Sequence, residues 1–306
     1  MHSFLSIRWD VNPEIFSLGA IHLRYYGVLL VGGFVLAYFV LRNIFRREQL
    51  PPVLFDNFAM TAVISTLVGL RLGHFLFYQP SAFLTNPLEI ILPVRFSPHF
   101  EFTGYQGLAS HGGAAGILLG LLWWSRKRKI PYLWALERIV LVVPLAGAFV
   151  RIGNLMNSEV YGAATALPWG FIFMRNAETV PHHPTQLYEA TAYFLIFFIM
   201  RYLYTKQLPK LKRGMLFGVF LILLFGARFA IEFIKEPQVQ FEENMFFNMG
   251  QWLSLPFIVA GLAFLRWGWK YGKPEAGWIP CAAAGKQPAM RGKQPPAGRK
   301  PNNRMK

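Results

Sequence analysis

A single cysteine, Cys281, occurs among 306 residues, which excludes an internal disulfide and a structural zinc site built on thiolates. It stands in a polar tail, which argues against a catalytic thiol. No H-E-x-x-H and no carboxylate-rich cage offers metal ligands, and no G-x-S-x-G offers a serine nucleophile. Neither a metal nor a cofactor is expected. There is no internal repeat, which disfavours transporter folds made of duplicated halves. The opening residues, MHSFLSIRWDVNPEIFSLGAIHLRYYG, lack the basic start and unbroken apolar block of a cleavable signal peptide, because Arg8, Asp10 and Glu14 interrupt them. The first apolar helix is therefore expected to stay in the mature protein.

What the chain has in excess is apolar surface: 54% of residues are apolar and 16% aromatic, and the mean hydropathy is +0.33. These values describe a polytopic membrane protein. A formal charge of +16 by itself suggests nucleic acid, but the cations fall in short clusters between apolar runs, where they set orientation. No nucleic-acid partner is expected.

Seven stretches have spanning length: 25–41, 54–78, 111–124, 133–150, 187–204, 215–234 and 246–267. The fold class is thus all-α, with seven transmembrane helices. Basic residues follow the odd-numbered spans: Arg42, Arg46 and Arg47; Arg126, Lys127, Arg128 and Lys129; Arg201, Lys206, Lys210, Lys212 and Arg213; Arg266, Lys270 and Lys273. The intervening linkers carry few, so the N-terminus is expected outside and the C-terminus in the cytoplasm. Residues 1–269 form the membrane domain. Residues 270–306, rich in Pro, Gly, Ala, Lys and Arg, are expected to be a disordered basic tail attracted to anionic membrane lipids.

With that orientation the strong polar groups gather at the outer leaflet: Tyr26, Arg71, His74, His111, Arg151, Asn154, Asn157, Glu159, the HHPTQLYEA segment at 182–190, Arg228 and Glu232. Charges at lipid depth are costly, which makes them functional candidates. Each also has a plainer reading. Arg228 and Glu232, four apart, share a helix face and suit an ion pair; Arg151 and Asn154 suit interhelical bonding; Asn157 suits a cap; Tyr26 suits an aromatic belt. In HGGAAG, residues 111–116, two glycines after a histidine at a helix start let a ligand or another backbone approach, and free N–H groups there favour an anion. The same partial positive charge favours a neutral, proton-accepting His111. A close helix crossing between Gly112 and Gly116 is the alternative.

LASHGGAAGILLG (108–120), RIGNLMNSEVYG (151–162), HPTQLYEA (183–190) and GARFAIEF (226–233), in this order, closely resemble the bacterial prolipoprotein diacylglyceryl transferases. The resemblance implies seven spans in the inner membrane, a periplasmic N-terminus and an active site toward the periplasmic leaflet. It implies transfer of the diacylglyceryl group of phosphatidylglycerol to the lipobox cysteine of a prolipoprotein signal peptide, giving a thioether and glycerol phosphate. It assigns catalytic positions to His111, Arg151, Asn154, Glu159, Arg228 and Glu232. Phosphatidylglycerol binding falls to Arg151, Arg228, Tyr26, Gly112, Gly113 and Gly162. A tyrosine common in relatives four residues before the late arginine is Leu224 here, which puts a hydroxyl role at that position in doubt. His182 and His183 compete with His111 as base. The rival readings are a secondary transporter with an outward-facing polar site, although the inner thirds hold few ionisable groups beyond Asp56, Glu137 and Arg138, and an intramembrane protease, for which no motif stands out.

Overall fold

In hydrocarbon every backbone N–H and C=O must be bonded within its own segment, so long apolar runs resolve into helices. The computed structural model describes residues 6–18, 21–85, 90, 94–95, 101–102, 109–207, 210–235 and 246–273, and these are mostly helical. The helices are α1 (Tyr25–Arg47), α2 (Pro52–Tyr78), the one-turn α3 (Ala82–Thr85), α4 (Ser110–Arg128), α5 (Tyr132–Ile139), α6 (Val143–Met156), α7 (Thr185–Lys206), α8 (Met215–Glu232) and α9 (Met249–Tyr271). Helices α1, α2, α8 and α9 are long and apolar enough to cross a membrane, and α5 with α6 forms a fifth candidate as a bent pair. Helices α4 and α7 have spanning length, at 19 and 22 residues, but carry more charge, including Arg126, Lys127 and Arg128 in one and Glu189, Arg201 and Lys206 in the other.

Two expectations need correction. The stretch 133–150 is not one helix: α5 and α6 meet at 43° across residues 140–142. Pro144 explains the break, since it has no N–H for the Val140 carbonyl and sits in the first turn of α6, where a missing donor costs nothing. Nor is the chain purely α. Strand β1 (Ile7–Trp9) pairs in parallel with β6 (Phe171–Phe173), and two antiparallel pairs join β2 (Glu14–Leu18) to β3 (Ile21–Arg24) and β4 (Val94–Arg95) to β5 (Glu101–Phe102). These strands are two to five residues long, below what a window sized for membrane spans detects. The expected basic tail lies outside the described residues from 274 onward.

Helix α6 packs between α1 and α7, α8 between α7 and α9, and α2 against α4. The α2–α4 crossing is close because small residues face each other: a Cβ on Gly112 would collide with the Gly69 carbonyl oxygen and lie 2.7 Å from Gly73 Cα. This is the backbone approach that small-residue stripes permit without a hydrophobic drive between helices. At one end of the bundle Phe45, Phe58, Trp124 and Trp134 cluster, T-shaped with centroids 5.0 Å apart for Phe58–Trp124 and 5.7 Å for Phe45–Trp134, and stacked for Trp124–Trp134. Beside them buried Arg138 pairs with Glu48 at 2.9 Å, and the Tyr204 hydroxyl donates to the same carboxylate at 2.7 Å. The basic clusters at the ends of α1, α4 and α7 belong to this end. The starts of α1, α4, α7 and α9 and the ends of α2, α6 and α8 meet at the other, where the polar residues converge.

Candidate active site

Helix α6 carries Arg151 and Asn154 on one face of its last two turns and ends at Met156 with Asn157 as its cap, so the turn that follows brings Glu159 back over the helix end. The Arg151 Nη1 donates to Asn154 Oδ1 at 3.4 Å, and the Asn154 and Asn157 amides donate to Glu159 Oε1 at 2.6 and 3.3 Å. Both asparagines thus orient one carboxylate. On its other side the Arg151 Nε meets Glu189 Oε2 of α7 at 2.8 Å, and its guanidinium pairs with the Tyr193 hydroxyl one turn further on.

Glu189 is fully buried and also accepts from Lys235 Nζ at 3.0 Å; the same ammonium reaches Glu232 Oε2 at 3.3 Å. A buried charge left alone is very costly, and this alternation of two cations with two carboxylates removes the cost. The start of α9 seals the pair: Asn248 Nδ2 donates to the Glu232 carbonyl at 3.2 Å, and any side chain on Gly250 would strike the Glu232 carboxylate.

Glu232 therefore pairs with Lys235 and not with Arg228, so the i,i+4 ion pair anticipated from spacing does not form. Among the described residues Arg228 has no ion-pairing carboxylate. Its charge acts instead on the His111 imidazole, at the start of α4, and on Tyr193. Tyr26, at the start of α1, packs its ring where a Gly153 Cβ would be 2.8 Å away, and its hydroxyl feels both Glu159 and Arg151. His111, Tyr26, Arg151, Asn154, Glu159, Arg228 and Glu232 thus belong to one connected constellation drawn from α1, α4, α6 and α8.

Other expected residues have different settings. Gly112 lies in the α2–α4 crossing, and Gly113 is packed on Leu70. Gly162 is buried where the loop after α6 bridges to Lys235, with Thr185 and His183 against it. Arg71 donates to the Ile90 carbonyl at 3.2 Å beyond α2, and His74 stacks on Tyr78. His182 is buried, with Nδ1 2.9 Å from the Gly162 carbonyl and Nε2 3.1 Å from Glu178, so both ring nitrogens are committed. The Tyr161 hydroxyl donates to Glu178 at 2.6 Å; this bond, then His182, holds the Glu178 carboxyl below its ordinary range. Burial, then the charge on His182, pushes His183 below the usual imidazole value, and its Nδ1 faces the Tyr188 hydroxyl at 3.3 Å.

Sequence reasoning missed Glu189, Tyr193 and Lys235. Glu189 lies inside the HPTQLYEA segment, and a carboxylate sharing a helix face with Thr185 and Gln186 in a spanning-length helix was its signal. Tyr193 follows at i+4 but reads as a belt residue. Lys235 follows the end of its helix and reads as a linker cation.

Taken as chemistry, the cluster offers, among the described residues, an imidazole, a guanidinium without an ion-pairing carboxylate, a second guanidinium fixed on three sides and no cysteine or serine nucleophile. That set fits anion binding and proton removal. The family model for prolipoprotein diacylglyceryl transferase matches residues 13–267. A phosphatidylglycerol–prolipoprotein diacylglyceryl transferase of Bacteroides fragilis is 44% identical over 274 residues, covering 89% of this chain and 98% of the relative. Similar proteins of the same name occur in Tolumonas auensis, 40% identical over 84% of this chain and 95% of the relative, and in Nitrosomonas europaea, 37% identical over 86% and 92%.

Proposed function

Since this chain belongs to the prolipoprotein diacylglyceryl transferase family, we propose that the constellation around Arg151 and Arg228 is the centre in which it performs that family's reaction. The protein is a membrane transferase that moves the diacylglyceryl group of phosphatidylglycerol to a prolipoprotein thiol. The transporter reading is not supported: the relatives are named as transferases.

The substrate supplies the sulfur, so the enzyme needs no cysteine of its own. A free thiol has a pKa of about 8.5 and reacts as thiolate. His111 takes the proton of the lipobox cysteine; the sulfur attacks the glyceryl carbon, a C–S bond forms, and the C–O bond to the phosphate breaks. Glycerol phosphate leaves with the bonding pair. Arg228, with no ion-pairing carboxylate among the described residues, holds the phosphate through forked, charge-assisted bonds. Arg151 gives the second cationic contact, oriented by Glu189 and Tyr193, while Asn154 holds a headgroup hydroxyl or phosphate oxygen, Glu159 orients Asn154 for the step, and Tyr26 closes the near side. Glu232 acts through Lys235, which also holds Glu189. Gly112, Gly113 and Gly162 serve the lipid site by letting its walls approach. The observation that carries this reading is Arg228, which has no ion-pairing carboxylate among the described residues and whose charge reaches the His111 imidazole.

Seven crossings, counting α5 and α6 as one bent span and adding α4 and α7, agree with helix starts and ends that alternate between the two ends of the bundle. With basic clusters inside, the N-terminus and active site face the periplasm of the bacterial inner membrane and the C-terminus the cytoplasm. Residues 1–269 are the transferase domain, and the tail from 270 contacts anionic lipid.

Purified protein incubated with phosphatidylglycerol and a lipobox peptide should raise the peptide mass by one diacylglyceryl unit. His111→Gln should suppress transfer while phosphatidylglycerol is still bound, and Arg151→Ala should weaken binding as well. Full activity in both variants contradicts the assignment.

A further inference from the structure

Glu159 is carried by an unfavourable piece of backbone. Helix α6 ends with Ser158 N bonded to the Leu155 carbonyl at 2.9 Å and Glu159 N to the Asn154 carbonyl at 3.0 Å, with Ser158 at φ 55° in the left-handed place that glycine commonly takes. Two residues later Val160 has φ 61°, a conformation that β-branched residues avoid. Three side chains from outside the turn hold consecutive carbonyls of it. Asn176 Nδ2 donates to Ser158 O at 2.8 Å, Gln186 Nε2 to Glu159 O at 2.8 Å and Thr185 Oγ1 to Val160 O at 3.0 Å.

Gln186 is the informative member. It is fully buried, and among the described residues its Oε1 has no hydrogen-bond partner. Leucine would fill the same space without stranding a polar atom; the amide donor to Glu159 is what glutamine adds. With its N–H tied to Asn154 and its carbonyl to Gln186, Glu159 has both flanking peptide planes fixed, and its carboxylate is aimed at the two asparagine amides. Release of the carbonyl lets Val160 relax toward the extended region and turns Glu159 away from Asn154, the partner of Arg151.

We propose that Gln186 is a positioning residue for the transfer, acting through Glu159, with Thr185 as the second half of the clamp. The proposal rests on the place given to Glu159 in the reaction centre above. The expected effect falls on turnover more than on substrate affinity, because the phosphate contacts of Arg228 do not pass through this turn and Arg151 stays held by Glu189 and Tyr193.

In lipid nanodiscs, Gln186→Leu should lower kcat about tenfold while KM for phosphatidylglycerol and for a lipobox peptide stays within about twofold. In a double-mutant cycle the pair Gln186→Leu with Glu159→Gln should be no slower than Glu159→Gln alone, since a residue acting through another adds nothing once that other is gone. Adding Val160→Gly to Gln186→Leu should restore part of kcat, because glycine holds a positive φ unaided. If Gln186→Leu does not fold, Thr185→Val, which keeps shape and removes the hydroxyl donor, replaces it throughout. Wild-type kcat in Gln186→Leu beside an impaired Glu159→Gln overturns the clamp alone, as do losses that multiply in the double variant. Wild-type kcat in Glu159→Gln is a separate result that removes Glu159 from the reaction centre.

Discussion

Lys235 shows how one side chain can hold a site it does not complete chemically. Its ammonium lies 3.0 Å from Glu189 and 3.3 Å from Glu232, with only 2% of its side chain exposed. Lys235→Met leaves two buried carboxylates sharing the single charge of Arg151, and breaking a buried pair costs about 3–5 kcal/mol. A clear fall in melting temperature should accompany loss of transfer, and Lys235→Arg should recover more of both than Met does. Arg151, Asn154 and Glu159 were legible in the sequence because they fall within one short segment, where helical spacing alone puts the first two on a face. Lys235 was not, since its carboxylate partners come from 46 residues away and from its own helix end. Arg228 and Glu232 were read as possible partners, but the Glu232 carboxylate turns to Lys235 at 3.3 Å instead.

Among the elements, the α2–α4 pair depends most on what its residues lack. Gly112 faces the Gly69 carbonyl and Gly73 Cα, and this contact fixes the start of α4, where His111 stands. Gly112→Val forces the two helices apart; overpacking costs about 1–3 kcal/mol, and His111 moves away from Arg228. Thermal unfolding should shift down and transfer should fall in Gly112→Val, while Gly27→Ala, at a position with nothing within 4 Å of the added carbon, should leave both unchanged. The small-residue spacing of this crossing was visible in the sequence as an alternative to ligand contact. The break between α5 and α6 was not, because a hydropathy window averages over Pro144 and registers one apolar run. The strands escaped for the opposite reason: they are too short to produce a periodic signal.

On the scale of the molecule, charge is sorted along the bundle. Arg42, Arg46, Arg47 and the run Arg126 to Lys129 stand beside the aromatic Phe45–Trp134 end, while the mixed charges of the active site lie at the other. With Cys281 replaced by serine, a cysteine at Lys127 should react with an impermeant thiol reagent only after spheroplasts are opened, and one at exposed Trp169 should react before; the reverse pattern inverts the orientation. The alternation of helix ends was foreseeable from the linkers, because cations are costly to translocate. The pairing of α6 with both α1 and α7 was not, since it depends on which faces interlock. The most direct measurement follows both products from phosphatidylglycerol labelled in its terminal glycerol, with a lipobox peptide as acceptor. Thioether peptide and glycerol phosphate should appear in equal amounts with the wild-type protein and vanish together in Arg228→Gln; a peptide that gains mass without release of glycerol phosphate, or an Arg228→Gln variant as active as the wild type, would contradict the account.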